Sequence, residues 1–381
     1  MTRFLIIGNL DNRRVTGFAE ALARAGERAP ILLGHRALIA DPTRLAAIPE
    51  GPLIVRIDSV GEHAEVERML LERGAVKLPD HARCERLSTA ELRRRPLRHG
   101  ELLAPRQHHA GVLDYFDSLA AVFATRPQWR VLNPIADLRV LFDKRETSRR
   151  YANAGIPVPE QLPNLEAIVT AADLRAAMVE QRWSAVYVKL SCASSASGLA
   201  LYRHAPSRPA GDRDLLITTV AQTRNGRFNS RQLQRLRERA EVDSLLDWLL
   251  AEGVQIERAI VKAQLDRKPF DVRVLVIAGE PAFAVVRQSR HPITNLHLGG
   301  TRGDLDALRR RVPETAWAAA MRSCERVFAT HGCLHIGVDL LFEANLRGHR
   351  IVEANAFGDL LPNLTRAGKS VYEWELDRIH A

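Results

Sequence analysis

The chain has 381 residues, 46% hydrophobic and 26% charged, a globular composition long enough for two or three domains around a sizeable core. Its apolar runs fall far short of the ~20 residues of a membrane helix, and no signal-peptide core follows Met1, so a cytoplasmic protein without membrane spans is expected. The net charge of +10 raises a nucleic acid as partner, but only six of the 55 basic residues are lysines, and the arginines are scattered without a basic tail or an aromatic-interleaved stripe, which argues against it.

The opening reads as a strand at 4–8, a polar loop at 9–14 and an amphipathic helix at 18–25 closed by Gly26. Strands at 31–33 and 53–57 and a helix at 66–73, stopped by Gly74, continue the alternation and predict a small parallel-sheet α/β domain over 1–125. Gly8 follows the first strand without a GxGxxG pattern, so no dinucleotide site is expected there. The four cysteines, Cys84, Cys192, Cys324 and Cys333, have no zinc-like spacing and read as reduced thiols.

From Val131 the pattern changes to a helix at 141–154, the turn Gly155-Ile-Pro-Val-Pro159, a helix near 173–181 and a strand at 185–190, giving a second unit over 126–203. Residues 204–250 are rich in Pro, Arg, Gly and Ser and then become polar and helix-like from Arg231, which suggests an insertion or flap. A last unit, 251–381, carries strands at 272–277, 282–286, 336–342 and 350–353 and a helix at 317–331.

Chemistry concentrates in the later units. Lys144 opens a helix, and Lys189 ends a strand before the run of small residues Ser191-Cys-Ala-Ser194-Ser195-Ala-Ser197-Gly198, whose N–H groups suit phosphate oxygens. Taken alone, these read more readily as two surface lysines beside a serine-rich loop, and the later motifs reverse that preference. Arg273 lies in Asp271-Val-Arg273 at the head of one strand and Arg287 ends the next, so a hairpin could place both planar guanidiniums on one side, where they suit phosphate and carboxylate. The loop from His291 through Thr294-Asn295 to Gly299-Gly300 is closed by glycine and lacks apolar periodicity. Asp339, set among Ile336, Val338 and Leu340, makes little sense on a buried strand without a cation or a partner; with Glu353 and Asn355 it offers hard oxygen ligands for magnesium.

In this order the pieces resemble the ATP-grasp superfamily, most closely the branch of the ribosomal-protein glutamate ligase, the aminoadipate-carrier ligase and bacterial glutathione synthetase, over about residues 131–363. The resemblance implies an ATP-grasp fold, two α+β subdomains clasping ATP, behind the N-terminal domain. It implies that Lys144 and Lys189 hold the α- and β-phosphates and that the serine loop to Gly198 closes over the γ-phosphate. Gln255-Ile-Glu257-Arg258-Ala259-Ile260 resembles the adenine-binding linker. Arg273 would meet the γ-phosphate, Arg287 and Asn295 the acyl phosphate, and Asp339, Glu353 and Asn355 two magnesium ions, with manganese able to substitute. The phosphate loop is poorer in glycine, and the 204–250 segment longer and more basic, than is common in that branch.

The N-terminal portion, with Asn12-Arg13-Arg14 and Arg56-Ile-Asp58, is similar to a bacterial group of predicted ATP-grasp proteins. These clusters follow strands 1 and 3, where loops of an α/β sheet face a ligand crevice, and together with Gly299 and Gly300 they are candidates for substrate binding or for ordinary turn chemistry. The expected activity is ATP-dependent ligation of a carboxylate and an amine through an acyl phosphate, with a peptide or carrier among the candidate substrates and an oligomer left open. The alternatives are a kinase-like grasp, an ATP-binding regulatory module without turnover, and a nucleic-acid-binding protein.

Overall fold

The computed structural model describes residues 3–193, 196–209, 213–357, 361 and 363–381. Its first unit comprises β1 (Phe4–Gly8), α1 (Arg13–Arg24), β2 (Ile31–Gly34), α2 (His35–Ala40), α3 (Thr43–Ala46), β3 (Leu53–Ile57), α4 (Ala64–Lys77), α5 (Thr89–Arg94), α6 (Pro105–Ala124) and β4 (Trp129–Val131). The four strands pair in parallel in the order β2-β1-β3-β4. β1 and β3 are buried throughout, which explains their nearly continuous apolar sequences. β4 closes this sheet with Trp129 opposite Leu53, so the sheet extends past residue 125.

Helix α4 runs through Gly74 instead of stopping there. A Cβ at Gly74 would lie 1.8 Å from the Gln107 carbonyl oxygen, and one at Gly111 1.8 Å from that of Leu70. The two glycines therefore let α4 and α6 touch backbone to backbone, which outweighs the local cost of glycine in a helix.

The helix expected over 141–154 is two helices, α7 (Ile135–Leu141) and α8 (Lys144–Asn153). Asp143 divides them, its side chain accepting from the N–H groups of Arg145 and Glu146 as the N-cap of α8. The second unit continues with α9 (Ala171–Glu180), β5 (Ala185–Leu190), β6 (Leu199–His204), β7 (Asp214–Thr223), β8 (Gly226–Leu236), α10 (Arg239–Glu252) and β9 (Val254–Arg258). Its antiparallel sheet has the order β8-β7-β6-β5-β9, and Leu174, Met178, Leu245 and Leu249 of the helices share a core with Val186, Val188 and Ile256 of the strands. The residues read from sequence as an insertion thus carry β7, β8 and α10, two of them strands of this sheet. The helix-like stretch from Arg231 divides: it is edge strand through Leu236 and helix from Arg239. Its Arg, Gln and Leu residues favour helix locally, and pairing with β7 overrides that preference.

The third unit holds β10 (Gln264–Leu265), β11 (Lys268–Ile277), β12 (Glu280–Gln288), β13 (Thr301–Arg302), α11 (Leu305–Arg311), α12 (Glu314–Ala329), β14 (His335–Phe342), β15 (His349–Asn355), β16 (Thr365–Arg366), β17 (Lys369–Ser370) and α13 (Val371–His380). Its main sheet is antiparallel in the order β13-β12-β11-β14-β15, with β10 also on β11. Strand alternation separates its two faces. Val272, Val274, Val276, Ile336, Val338 and Leu340 enter a core with Trp317, Ala320 and Val327 of α12. On the opposite face, Leu275, Ile277 and Phe283 meet Phe4, Ile6 and Phe18 of the first unit and Val371 and Leu376 of α13. Beside that seam, Arg56 is 2% exposed, with Nε 3.0 Å from Asp58, Nη1 2.5 Å from Glu375 of α13, and its guanidinium 4.3 Å from the Phe18 ring centre.

Candidate active site

The charged end of the third sheet begins with register. Arg273 of β11 stands opposite Asp339 of β14, and Asp339 opposite Glu353 of β15, so three charged side chains share one row on one face. Arg273 donates to the Asp339 carboxylate through Nε and, at 3.1 Å, through Nη2. Arg287 of β12 reaches Asp339 with Nη2 at 3.0 Å and Asp271 with Nε at 2.6 Å. Burial alone would raise the Asp339 pKa, but the two guanidiniums outweigh it and hold the carboxyl below its ordinary value.

Three lysines complete the cluster. The N–H of Lys144 donates to the Ser191 carbonyl at 2.9 Å, and its ammonium lies 3.3 Å from Glu353 and also donates to the Ala193 carbonyl. Lys189 at the end of β5 pairs with Glu257 of β9, with side chains only 12% and 4% exposed. Burial pushes the Glu257 carboxyl up; Lys189 opposes that shift and Glu353 adds to it. Lys262, which sequence reasoning passed over, donates to the Thr294 hydroxyl at 2.5 Å and lies 3.6 Å from Asp271. Thr294 in turn donates to Asp271. Burial lowers the pKa of Lys262, Asp271 opposes this, and Arg287 and Lys189 lower it further. Rarity was the available signal for Lys262, since lysine is otherwise almost replaced by arginine in this chain.

The loop containing Thr294 spans the two antiparallel sheets. Ile293 and Leu298 pack with Tyr187, Leu201 and Ile217 of the second unit, and the Tyr187 hydroxyl donates to the Pro292 carbonyl at 3.3 Å. The Asn295 carbonyl accepts from Gly300 N–H at 3.1 Å, and a Cβ on Gly300 would lie 2.6 Å from that oxygen. Gly299 has φ +75°, so this glycine pair has a turn-forming reason to be present. Gly198 has one too: φ is +62°, and a Cβ there would lie 2.3 Å from Leu190. Ser197 precedes it, whereas Ser194 and Ser195 lie outside the described residues.

Other sequence candidates lie elsewhere or have structural partners. Arg258 is exposed and meets Glu160 at 3.2 Å; Ala259 donates its N–H to the Ala185 carbonyl at 3.0 Å, and Ile260 follows on the link to β10. Asn355 lies two residues beyond Glu353, its amide nitrogen 3.5 Å from the Gly337 carbonyl. Asn12 caps α1 by accepting from Arg14 N–H and donates to Glu62, while Arg13 is exposed. Arg14 reaches the carbonyl of Phe357, just beyond β15, at 3.0 Å. Asp58 is 2% exposed: Oδ2 accepts from Arg56, and Oδ1 is buried without a hydrogen-bond partner among the described residues.

No family model matches the sequence, and no curated protein matches it. Solved structures do resemble the fold. The D-cycloserine synthetase DcsG matches at a TM-score of 0.56 and 14% identity, covering 100% of both chains. The ATP-grasp ligase PsnB, solved with a phosphomimetic variant of its minimal precursor, Mg and ADP, matches at 0.53 and 14%, covering 100% of this chain and 98% of that one. The macrocyclase MdnC, bound with the precursor peptide MdnA from Microcystis aeruginosa MRC, matches at 0.52 and 13%, covering 99% and 100%. Two antiparallel-sheet α+β subdomains behind a parallel-sheet α/β domain, matched over the full chain, identify the fold of this protein as ATP-grasp.

Proposed function

We propose that this chain is an ATP-dependent carboxylate–amine ligase that forms an amide or peptide-like bond through an acyl phosphate. One observation carries the reading: Lys144, Lys189, Lys262, Arg273 and Arg287 converge with Glu257, Asp271, Asp339 and Glu353 where the two subdomains face each other. Burying so many charges costs desolvation even where they pair with one another, and a triphosphate with a divalent cation would use both signs.

The donor set fits magnesium. Asp339 and Glu353 share a face, and Asn355 adds an amide oxygen, all hard ligands. Among the described residues no group of three His, Cys, Asp or Glu is placed to hold a metal ion, so magnesium would be held by one or two carboxylates together with nucleotide phosphates. When bound, magnesium would neutralise charge developing on the transferred phosphoryl group.

In this reading Lys144 and Lys189 hold the α- and β-phosphates, Glu257 and the backbone to Ile260 receive the adenosine end, and Arg273 faces the γ-phosphate. Arg287 and Asn295 bind the acyl phosphate. A carboxylate oxygen attacks the γ-phosphorus in line as ADP leaves. The amine nitrogen then attacks the acyl carbon, expelling phosphate and giving up a proton. The fixed guanidiniums supply electrostatic stabilisation without a side-chain nucleophile. PsnB was solved with a minimal precursor and MdnC with a precursor peptide, which supports a peptide among the candidate substrates.

The test is ADP release with magnesium and ATP across panels of acids, amines and peptides, with product masses measured. Release that requires both partners, with a product equal to their sum less water, is expected. Release with an acid alone would favour a kinase-like grasp, and ATP binding without release a regulatory module.

A further inference from the structure

A second cleft, of about 510 Å³, lies in the first unit outside the charged cluster. It opens beyond the carboxyl ends of β1 and β2, where parallel α/β sheets receive ligands, and its size is that of a small-molecule pocket. Leu10, Ala37 and Ala40 give it an apolar lining, and Leu10 is 46% exposed. Arg36 and Arg44 stand in the same lining against a single acid, Asp11. Arg36 meets Glu65 through Nε at 2.9 Å and Arg44 meets Asp41 through Nε at 3.5 Å. Neither has a second partner among the described residues, so both keep terminal guanidinium donors for an anion.

The cleft is also held in shape. His35, fully buried at its back, has Nδ1 2.9 Å from the Tyr115 hydroxyl and Nε2 3.0 Å from the Asp58 carbonyl. Asn9 ties the loop after β1 to the loop after β3, donating to the Gly61 carbonyl at 2.8 Å. At Gly8 a Cβ would lie 2.5 Å from Val15, so glycine lets α1 pack against the end of β1. A preformed apolar cleft edged by two guanidiniums matches a ligand with an apolar body and a negative end.

We propose that this cleft binds a small amphipathic anion, its carboxylate or sulfonate held by Arg36 and Arg44 and its apolar part against Leu10 and Ala37, at a site separate from the nucleotide cluster. The probe is anilinonaphthalene sulfonate, followed by fluorescence on the full chain, with hexanoate and hexylamine as competitors. One saturable site is expected, displaced by hexanoate and not by hexylamine. Arg36→Ala and Arg44→Ala should each weaken it about tenfold, the scale of a lost charge-assisted hydrogen bond. Ala40→Trp should abolish it, and ATP binding measured by calorimetry should be unchanged in all three variants. The proposal is overturned if the variants leave the probe's affinity unaltered, if hexylamine competes as well as hexanoate, or if magnesium-ATP displaces the probe.

Discussion

Asp339 and Arg273 face each other across β14 and β11, and the carboxylate also receives Arg287 from the neighbouring strand. One acid therefore serves as counter-charge for two guanidiniums while standing beside Glu353. Asp339→Asn should cost both function and stability. Magnesium-dependent ADP release should fall by roughly 100-fold or more, and unfolding free energy by about 3–5 kcal/mol as a buried ion cluster loses its acid. Glu353 is 26% exposed and meets Lys144, so Glu353→Gln should lose turnover with a smaller shift in Tm. Native turnover in both variants would remove the metal assignment.

Lys189 is the only cation paired with Glu257 by a direct ion pair among the described residues. Replacing it with Met should weaken ATP binding at least several-fold, since an apolar chain cannot face phosphates, while adenosine affinity changes little. Calorimetry giving equal ATP affinity in variant and parent would take Lys189 out of the site.

Arg13 and Arg14 are neighbours in sequence with different surroundings. Arg13 is exposed, whereas Arg14 is tied to the Phe357 carbonyl just after the strand bearing Glu353 and Asn355. Arg14→Ala should lower kcat/KM for the non-nucleotide substrate by about tenfold and Arg13→Ala by less, with ATP affinity spared in both. Equal, parental kinetics in the two variants would end the substrate-recognition role of this cluster.

Acid stability has a traceable component in the capping box of α13. Hydrogen bonds from Ser370, backbone first and then side chain, with help from Arg24, depress Glu373 from 4.5 to about 2. A carboxyl depressed in the folded state contributes stability above its unfolded pKa, and that contribution disappears as pH falls through the folded value. The Tm advantage of the parent over Glu373→Gln should therefore be full above pH 4.5 and vanish near pH 2. An advantage independent of pH in that window would contradict the capping account.

Much of the third sheet was legible because its chemistry alternates. Val272, Val274 and Val276 interleave with Asp271 and Arg273, and Asp339 interrupts an apolar strand where an unpartnered charge would be costly. Nothing around Lys262 marks it similarly, because its partners arrive from a separate strand and a loop, at Asp271 and Thr294. The Arg56–Glu375 contact, 319 residues apart in sequence, is likewise created by folding alone. β8 misleads for another reason: as an edge strand bearing Arg and Gln on a weakly buried surface, it lacks the apolar period that distinguishes strand from helix. Gly74 misleads because a glycine near a helix end and one at a helix crossing look alike in sequence.

In the proposed reaction a substrate carboxylate becomes an acyl phosphate in the cluster around Asp339. Once the panel identifies an acid and an amine, the acid can be labelled with oxygen-18 in both carboxylate oxygens and the released phosphate examined by mass spectrometry. Transfer of one labelled oxygen to phosphate for each amide formed is predicted, together with its loss in Asp339→Asn. Amide formation with unlabelled phosphate would contradict the account.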